Sequence, residues 1–142
     1  MSKLMLNKFE LDIMNMLLSG EHEVLAELHH QFTSSVLLSR EYTGVGMYLQ
    51  FSVPSSYPKV NEKYETKDRF WIGDLGGRIG VPAVEIGCIV WVNNGYLSTL
   101  EGHTYGNDRW PEKVGKFELY YLCKSRRDLD SIVSAWESKN FS

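Results

Sequence analysis

Leu6, Phe9, Ile13, Met16 and Leu17 recur at intervals of three and four residues, which places them on one stripe of a helix that Ser19-Gly20 ends. In the run from Glu21 to Gln31, Val24, Leu25 and Leu28, joined by Phe32, share a face while the acids mostly point elsewhere. Neither stripe is long enough to be stable alone, so both need a sheet to cover. The period changes to two after Thr33. Ser34 to Tyr42 is rich in β-branched and aliphatic residues, Thr43-Gly44 makes a turn, and Val45, Met47, Leu49, Phe51 and Val53 then line one face of a strand. The alternate positions, Gly46, Tyr48, Gln50 and Ser52, are mixed rather than charged, which fits either a second covering layer or a shallow surface groove. Pro54 ends this strand, and residues 54 to 67 read as a polar connection.

Arg69 to Ile72 has the pattern of a short strand, after which Gly73, Gly76, Gly77 and Gly80 are expected to break regularity. Val84 to Val92 forms a longer strand, Asn93-Asn94-Gly95 is a hairpin signal because Asn and Gly tolerate positive φ, and Tyr96 to Glu101 returns antiparallel. Phe117 to Cys123 supplies another strand. Asp128 to Glu137 reads as a helix with Leu129, Ile132, Val133 and Trp136 on one side. Helices followed by strands, rather than alternating with them, predict an α+β fold: a mainly antiparallel sheet, an N-terminal helical pair packed on one face and a short C-terminal helix. Residues 1–142 make one domain, with 124–142 as a helical extension.

The apolar fraction of 43%, with four Trp, eight Tyr and six Phe, is enough for a packed interior. Fifteen Lys and Arg against 18 Asp and Glu leave a formal charge of -3, which lacks the electropositive footprint that nucleic acid binding needs. The imbalance is uneven: residues 1–33 carry five acids and two bases, and residues 109–142 carry seven bases and five acids. Met1 to Leu6 lacks a signal peptide's apolar core and no run is long enough to span a bilayer, so no membrane association is expected and the cytoplasm is the expected compartment. Cys88 and Cys123 sit in apolar contexts and read as free buried thiols, with a disulfide between neighbouring strands as the alternative.

Catalytic signals are sparse. His22, His29, His30 and His103 lack the spacing of a zinc motif, and adjacent His29 and His30 would diverge by about 100° on a helix. There is no nucleophile elbow, and the glycine-rich run from Ile72 to Gly80 lacks both the spacing and the lysine of a phosphate loop. No metal and no cofactor are expected. The acids Asp74, Glu85 and Glu101 would pair only if the sheet register brought them together. His103, two residues after Glu101, is the best candidate for a general base, or else a histidine that holds its loop by a hydrogen bond. The aromatic loop from Gly102 to Pro111 carries more information. Tyr105, Trp110 and nearby Tyr96 offer large contact area with Asp108, Arg109 and Glu112 as a selective rim, and Glu101, Asp108 and Glu112 would complement a basic partner. The bland reading is that Trp110-Pro111 folds back to cap the sheet.

The segments Ser39 to Gly46, Phe70 to Asp74, Asn94-Gly95-Tyr96, Leu100 to Gly106 and Trp110-Pro111 together resemble a family of small bacterial single-domain proteins. The resemblance carries over no catalytic residue. Size and style place such proteins among immunity partners and dedicated inhibitors, which implies a protein that neutralises a toxin by direct binding. Two alternatives stand beside it: a small enzyme or ligand-binding protein with a pocket at Glu101 and His103, and a homodimeric structural protein.

Overall fold

The computed structural model describes residues 4–122 and 126–137. Helix α1 (Lys8–Leu17) begins with a capping box, in which Glu10 N donates to Asn7 Oδ1 at 2.8 Å and Asn7 N donates to Glu10 Oε1 at 3.0 Å. Its stripe of Phe9, Ile13, Met14 and Leu17 is buried. Gly20, at φ 135, turns the chain, and the imidazole of His22 caps α2 (Glu23–Ser34) by accepting from Val24 N at 3.1 Å. Val24, Leu25, Leu28 and Phe32 face inward from α2.

The strands are β1 (Val36–Tyr42), β2 (Gly46–Ser52), β3 (Arg69–Ile79), β4 (Val84–Asn93), β5 (Tyr96–Thr104) and β6 (Phe117–Tyr121). They form one sheet in the order β1-β2-β5-β4-β3-β6, with every neighbouring pair antiparallel. Met47, Leu49 and Phe51 of β2 join Leu97 and Leu100 of β5, Ile86, Val90 and Val92 of β4, and Phe70, Ile72 and Leu75 of β3 in a core with the helix stripes. Each such side chain removed from water contributes about 1.5–3 kcal/mol. The fold is therefore α+β, with the helical pair on one face of an antiparallel sheet and a short C-terminal helix, α4 (Leu129–Trp136), that adds Ile132 and Trp136 to the same core. Asn94 (φ 50) and Gly95 (φ 80) form the tight turn between β4 and β5 that the Asn-Gly pair predicts.

Three expectations need correction. The glycines after Ile72 do not end the strand: β3 runs on to Ile79, with a bulge in which Gly73 and Asp74 together oppose Ile89. They are there because neighbouring side chains occupy the space over them. A Cβ at Gly76 would lie 2.6 Å from Leu122 Cδ2, and one at Gly77 would lie 2.8 Å from the Glu118 carbonyl oxygen. The connection from 54 to 67 is not only polar loop, since it holds a helical turn, α3 (Val60–Lys63), whose Val60 is fully buried. Residues 126–137 are more than an appended helix, as the core places Ile132 and Trp136 beside Phe70. Cys123, and with it the end of the predicted 117–123 strand and the disulfide alternative, lies outside the described residues, as do 124, 125 and 138–142 of the predicted extension.

Polar contacts fix how the helices sit on the sheet. Gln31 of α2 is fully buried: its Nε2 donates to Gly95 O at 3.0 Å and Pro58 O at 3.2 Å, and its Oε1 accepts from Leu97 N at 2.8 Å. Glu10 of α1, 1% exposed, accepts from Arg40 Nε at 2.7 Å and Nη2 at 2.5 Å. Arg127 grips Asp74 of the β3 bulge through Nε (3.0 Å) and Nη2 (2.9 Å). Its Nη1 donates to Met16 O (3.1 Å) and Ser19 O (2.6 Å) just at and beyond the end of α1, where Met16 O also accepts from the Tyr121 hydroxyl at 2.8 Å.

Gln31→Leu keeps the volume and strands the Leu97 N–H in the core, and is expected to cost about 1–3 kcal/mol of unfolding free energy in urea titrations. Arg127→Met leaves the Asp74 carboxylate and the Ser19 carbonyl uncompensated and is expected to cost about 3 kcal/mol in the same assay. A double-mutant cycle with Asp74→Asn should return a coupling above about 0.5 kcal/mol.

Candidate functional site

Strand geometry sends alternate side chains to the face away from the helices. The register arranges them in rows. Glu41, Tyr48, Glu101 and Ile89 lie in one row across β1, β2, β5 and β4, and Gln50, Thr99, Trp91 and Trp71 lie in the next across β2, β5, β4 and β3. Toward the other end, Gly46, His103, Gly87, Gly76 and Tyr120 follow one another from β2 to β6, and Glu85, Arg78 and Glu118 come beyond them. These side chains are half-buried or exposed, and Trp71 (50%) and Leu122 (51%) are the most open of the large apolar groups here.

Glycines let the large groups lie flat on this face. A Cβ on Gly87 would meet His103 Nε2 and the Tyr105 hydroxyl, each at 2.6 Å, so that imidazole and phenol both fold across it. Their rings meet edge to face at 5.4 Å. His103 Nδ1 is buried with no hydrogen-bond partner among the described residues. Trp71 and Trp91 lie 6.3 Å apart, and the Arg69 guanidinium stacks over Trp91 at 4.8 Å.

The predicted site residues divide between the two sides of the sheet. Glu101 and His103 share the open face of β5, two residues apart, and Tyr105, 47% exposed, continues from them. Trp110 does not present contact area: it is 4% exposed, packs against Phe9, and covers Gly102 from the helix side, where a Cβ would lie 2.5 Å from the indole. Small Gly102 makes that seat, and the bond from Trp110 N to Gly44 O at 2.7 Å holds the loop to it. Glu112 is exposed but bears on Tyr42, which is paired with Met47 on the helix side. Burial raises the Tyr42 hydroxyl above its usual range, and the charges of Glu10 and Glu112 add to that. Asp108 is exposed, and its carbonyl accepts from Thr104 Oγ1 at 2.6 Å; neither an ion pair nor a hydrogen bond joins Asp108 or Glu112 to Glu101. Trp110 thus straps the end of the loop onto the core, while Tyr105 stays on the open face beside the strand side chains.

Sequence reasoning offered a shallow groove on the face of Tyr48 and Gln50, but missed Trp71, Ile89, Trp91, Tyr120 and Leu122 as parts of this surface. The signal was present in the alternation of β2 and β4, where Tyr48, Ile89 and Trp91 fall out of phase with the buried positions. A hollow of about 260 Å3 opens among them, lined by Tyr48, Gln50, Arg69, Trp91, Thr99 and Glu101, with Asn93 and Ser98 at its end. His103 is not part of its lining, so the predicted pocket of Glu101 and His103 does not converge there. Larger grooves lie elsewhere, one of about 460 Å3 between α1, α2 and β1 and one of about 450 Å3 between α4 and the exposed edge of β3.

The Tyr120 hydroxyl donates to Glu85 Oε2 at 2.6 Å, and this bond, with Arg78 adding to it, holds the Glu85 carboxyl below its usual range. The same bond pushes Tyr120 up, and burial pushes up Tyr105. Cys88, on the helix side of β4, is pushed up to about 12 by burial and stays a protonated thiol. Every one of these shifts moves away from neutrality. Among the described residues no group of three or more His, Cys, Asp or Glu side chains is placed to hold a metal ion, and no helix is long and apolar enough to cross a membrane.

Comparison with protein-family models, with curated proteins and with solved structures finds no match for the chain, so its functional reading rests on the geometry of this face.

Proposed function

We propose that this protein is a non-catalytic binding module whose open sheet face contacts another protein, most concretely as a cytoplasmic bacterial immunity or inhibitor protein that neutralises a toxin by direct binding. The observation that carries the reading is the set of apolar and aromatic side chains, Tyr48, Trp91, Trp71, Ile89, Tyr120 and Leu122, gathered on the side of the sheet opposite the helical pair. Side chains of this kind dominate the energetics of protein interfaces, because they bring large area with little rotamer freedom to lose. Their rigidity supports the same reading. Trp71, Trp91 and Arg69 brace one another, and Tyr105 and His103 are held over Gly87, so little ordering remains to be done on binding.

Charge supports a basic partner. The face presents Glu41, Glu85, Glu101 and Glu118 against Arg69 and Arg78, and Arg78 is already engaged with Glu85 (2.7 Å) and Glu118 (2.9 Å). Inhibition by such a surface needs shape and potential rather than a reactive group.

Affinity capture from the native host is expected to recover a stoichiometric protein partner whose toxicity is suppressed when the two are co-expressed. Trp71→Asp and Tyr105→Asp should each weaken that complex by at least about tenfold in calorimetric titration, with urea unfolding midpoints close to the parent, while Val81→Asp, at an 88% exposed turn position, leaves it unchanged. Retention of full affinity by both open-face variants would overturn the reading.

A further inference from the structure

We infer that the hollow between Tyr48 and Trp91 receives a cationic side chain, lysine or arginine, from the bound protein, with Glu101 as its counter-charge. The inference rests on the protein-binding reading above and names what that partner inserts.

Glu101 is half-buried on the sheet face, yet among the described residues it has no cation partner. Its one hydrogen bond among those residues comes from the Trp91 indole, Nε1 to Oε1 at 3.3 Å, which leaves Oε2 unused and aims the carboxylate along the aromatic wall. Tyr48 is directly opposite Glu101 in the β2–β5 register, and on its far side Glu41 of β1 likewise takes part in no ion pair among the described residues. A phenol between two uncompensated carboxylates, beside an indole whose N–H is already spent on one of them, attracts positive charge through both the ring faces and the acids. The fold itself supplies an instance of that preference: Arg69, with no carboxylate partner among the described residues, lays its guanidinium on Trp91 at 4.8 Å. Thr99 Oγ1 at the floor donates to Gln50 Oε1 at 2.8 Å, and Glu101 is the acid that lines the hollow. A volume of about 260 Å3 suits one side chain rather than a cofactor.

The test uses the intact protein and small probes, so it does not depend on finding the partner. Nα-acetyl-lysine methylamide and Nα-acetyl-arginine methylamide are titrated while the Trp91 indole N–H resonance is followed by NMR, with Nα-acetyl-norleucine methylamide as the neutral control. The inference expects a saturable millimolar shift with the cationic probes, absent with the neutral one and weakened about fivefold in both Glu101→Gln and Tyr48→Leu. Arg69→Gln should bind the cations equally well or better. The inference is overturned if the neutral probe shifts Trp91 equally, if Glu101→Gln binds like the parent, or if free zwitterionic lysine binds tenfold tighter than the blocked form and loses that advantage in Arg69→Gln. That last result would make the hollow a free amino acid site. Failure of the protein-binding reading is seen separately, in a native partner whose affinity ignores Trp71 and Tyr105 while the cationic probes still bind.

Discussion

Burial of one face of the antiparallel sheet beneath α1 and α2 is the constraint from which the remaining structure follows. A strand that alternates at period two has no freedom to exchange its faces, because a slip of one residue would carry Met47, Leu49 and Phe51 into water. Apolar contact alone would still let a helix slide along such a face. The polar contacts stop it: Gln31 reads the backbone of the β4–β5 turn, Glu10 holds Arg40 of β1, and Arg127 joins the end of α1 to the β3 bulge. Each places a directional bond where desolvation makes a mismatch costly, at the two ends and the far edge of the helical layer.

With one face committed to the core, the other is left to the aromatic groups, and the glycines decide how these are held. Gly102 accepts Trp110 from the helix side, whereas Gly87 accepts His103 and Tyr105 on the open side. Neighbouring strands thus turn the same device to opposite ends, one sealing the core and one fixing a surface. The bulge at Gly73 and Asp74 does the same for the far edge, since it points Asp74 toward Arg127 while leaving Gly73 under Trp71 and Ile89.

The helices, the clear strands, the Asn94-Gly95 turn and the α+β arrangement were legible in the sequence because each depends on periodicity or local turn chemistry. The continuity of β3 was not. Its glycines resemble loop residues until Leu122, Tyr120 and Trp71 are known to lie over them, and that knowledge comes from residues distant in sequence. Glu101 and Tyr105 were legible as surface groups, whereas Trp110 and Glu112 were misplaced because adjacency in one loop does not say which side of a sheet the loop returns to. The partners of Glu101, Tyr48 and Trp91, come from other strands, and a strand order of β1-β2-β5-β4-β3-β6 cannot be read from a single chain's pattern.

This division has a consequence for how the protein can change. Substitutions on the open face touch neither the helix stripes nor the clamps of Gln31, Glu10 and Arg127, so they alter the surface at little cost in stability. Glycines at the crossings are the exception. A side chain at Gly87 would displace His103 and Tyr105, and one at Gly76 would displace Leu122, which ties the shape of the surface to the backbone beneath it. A protein built this way can vary the exposed groups freely, but it can reshape their support only by disturbing the sheet that holds the core together.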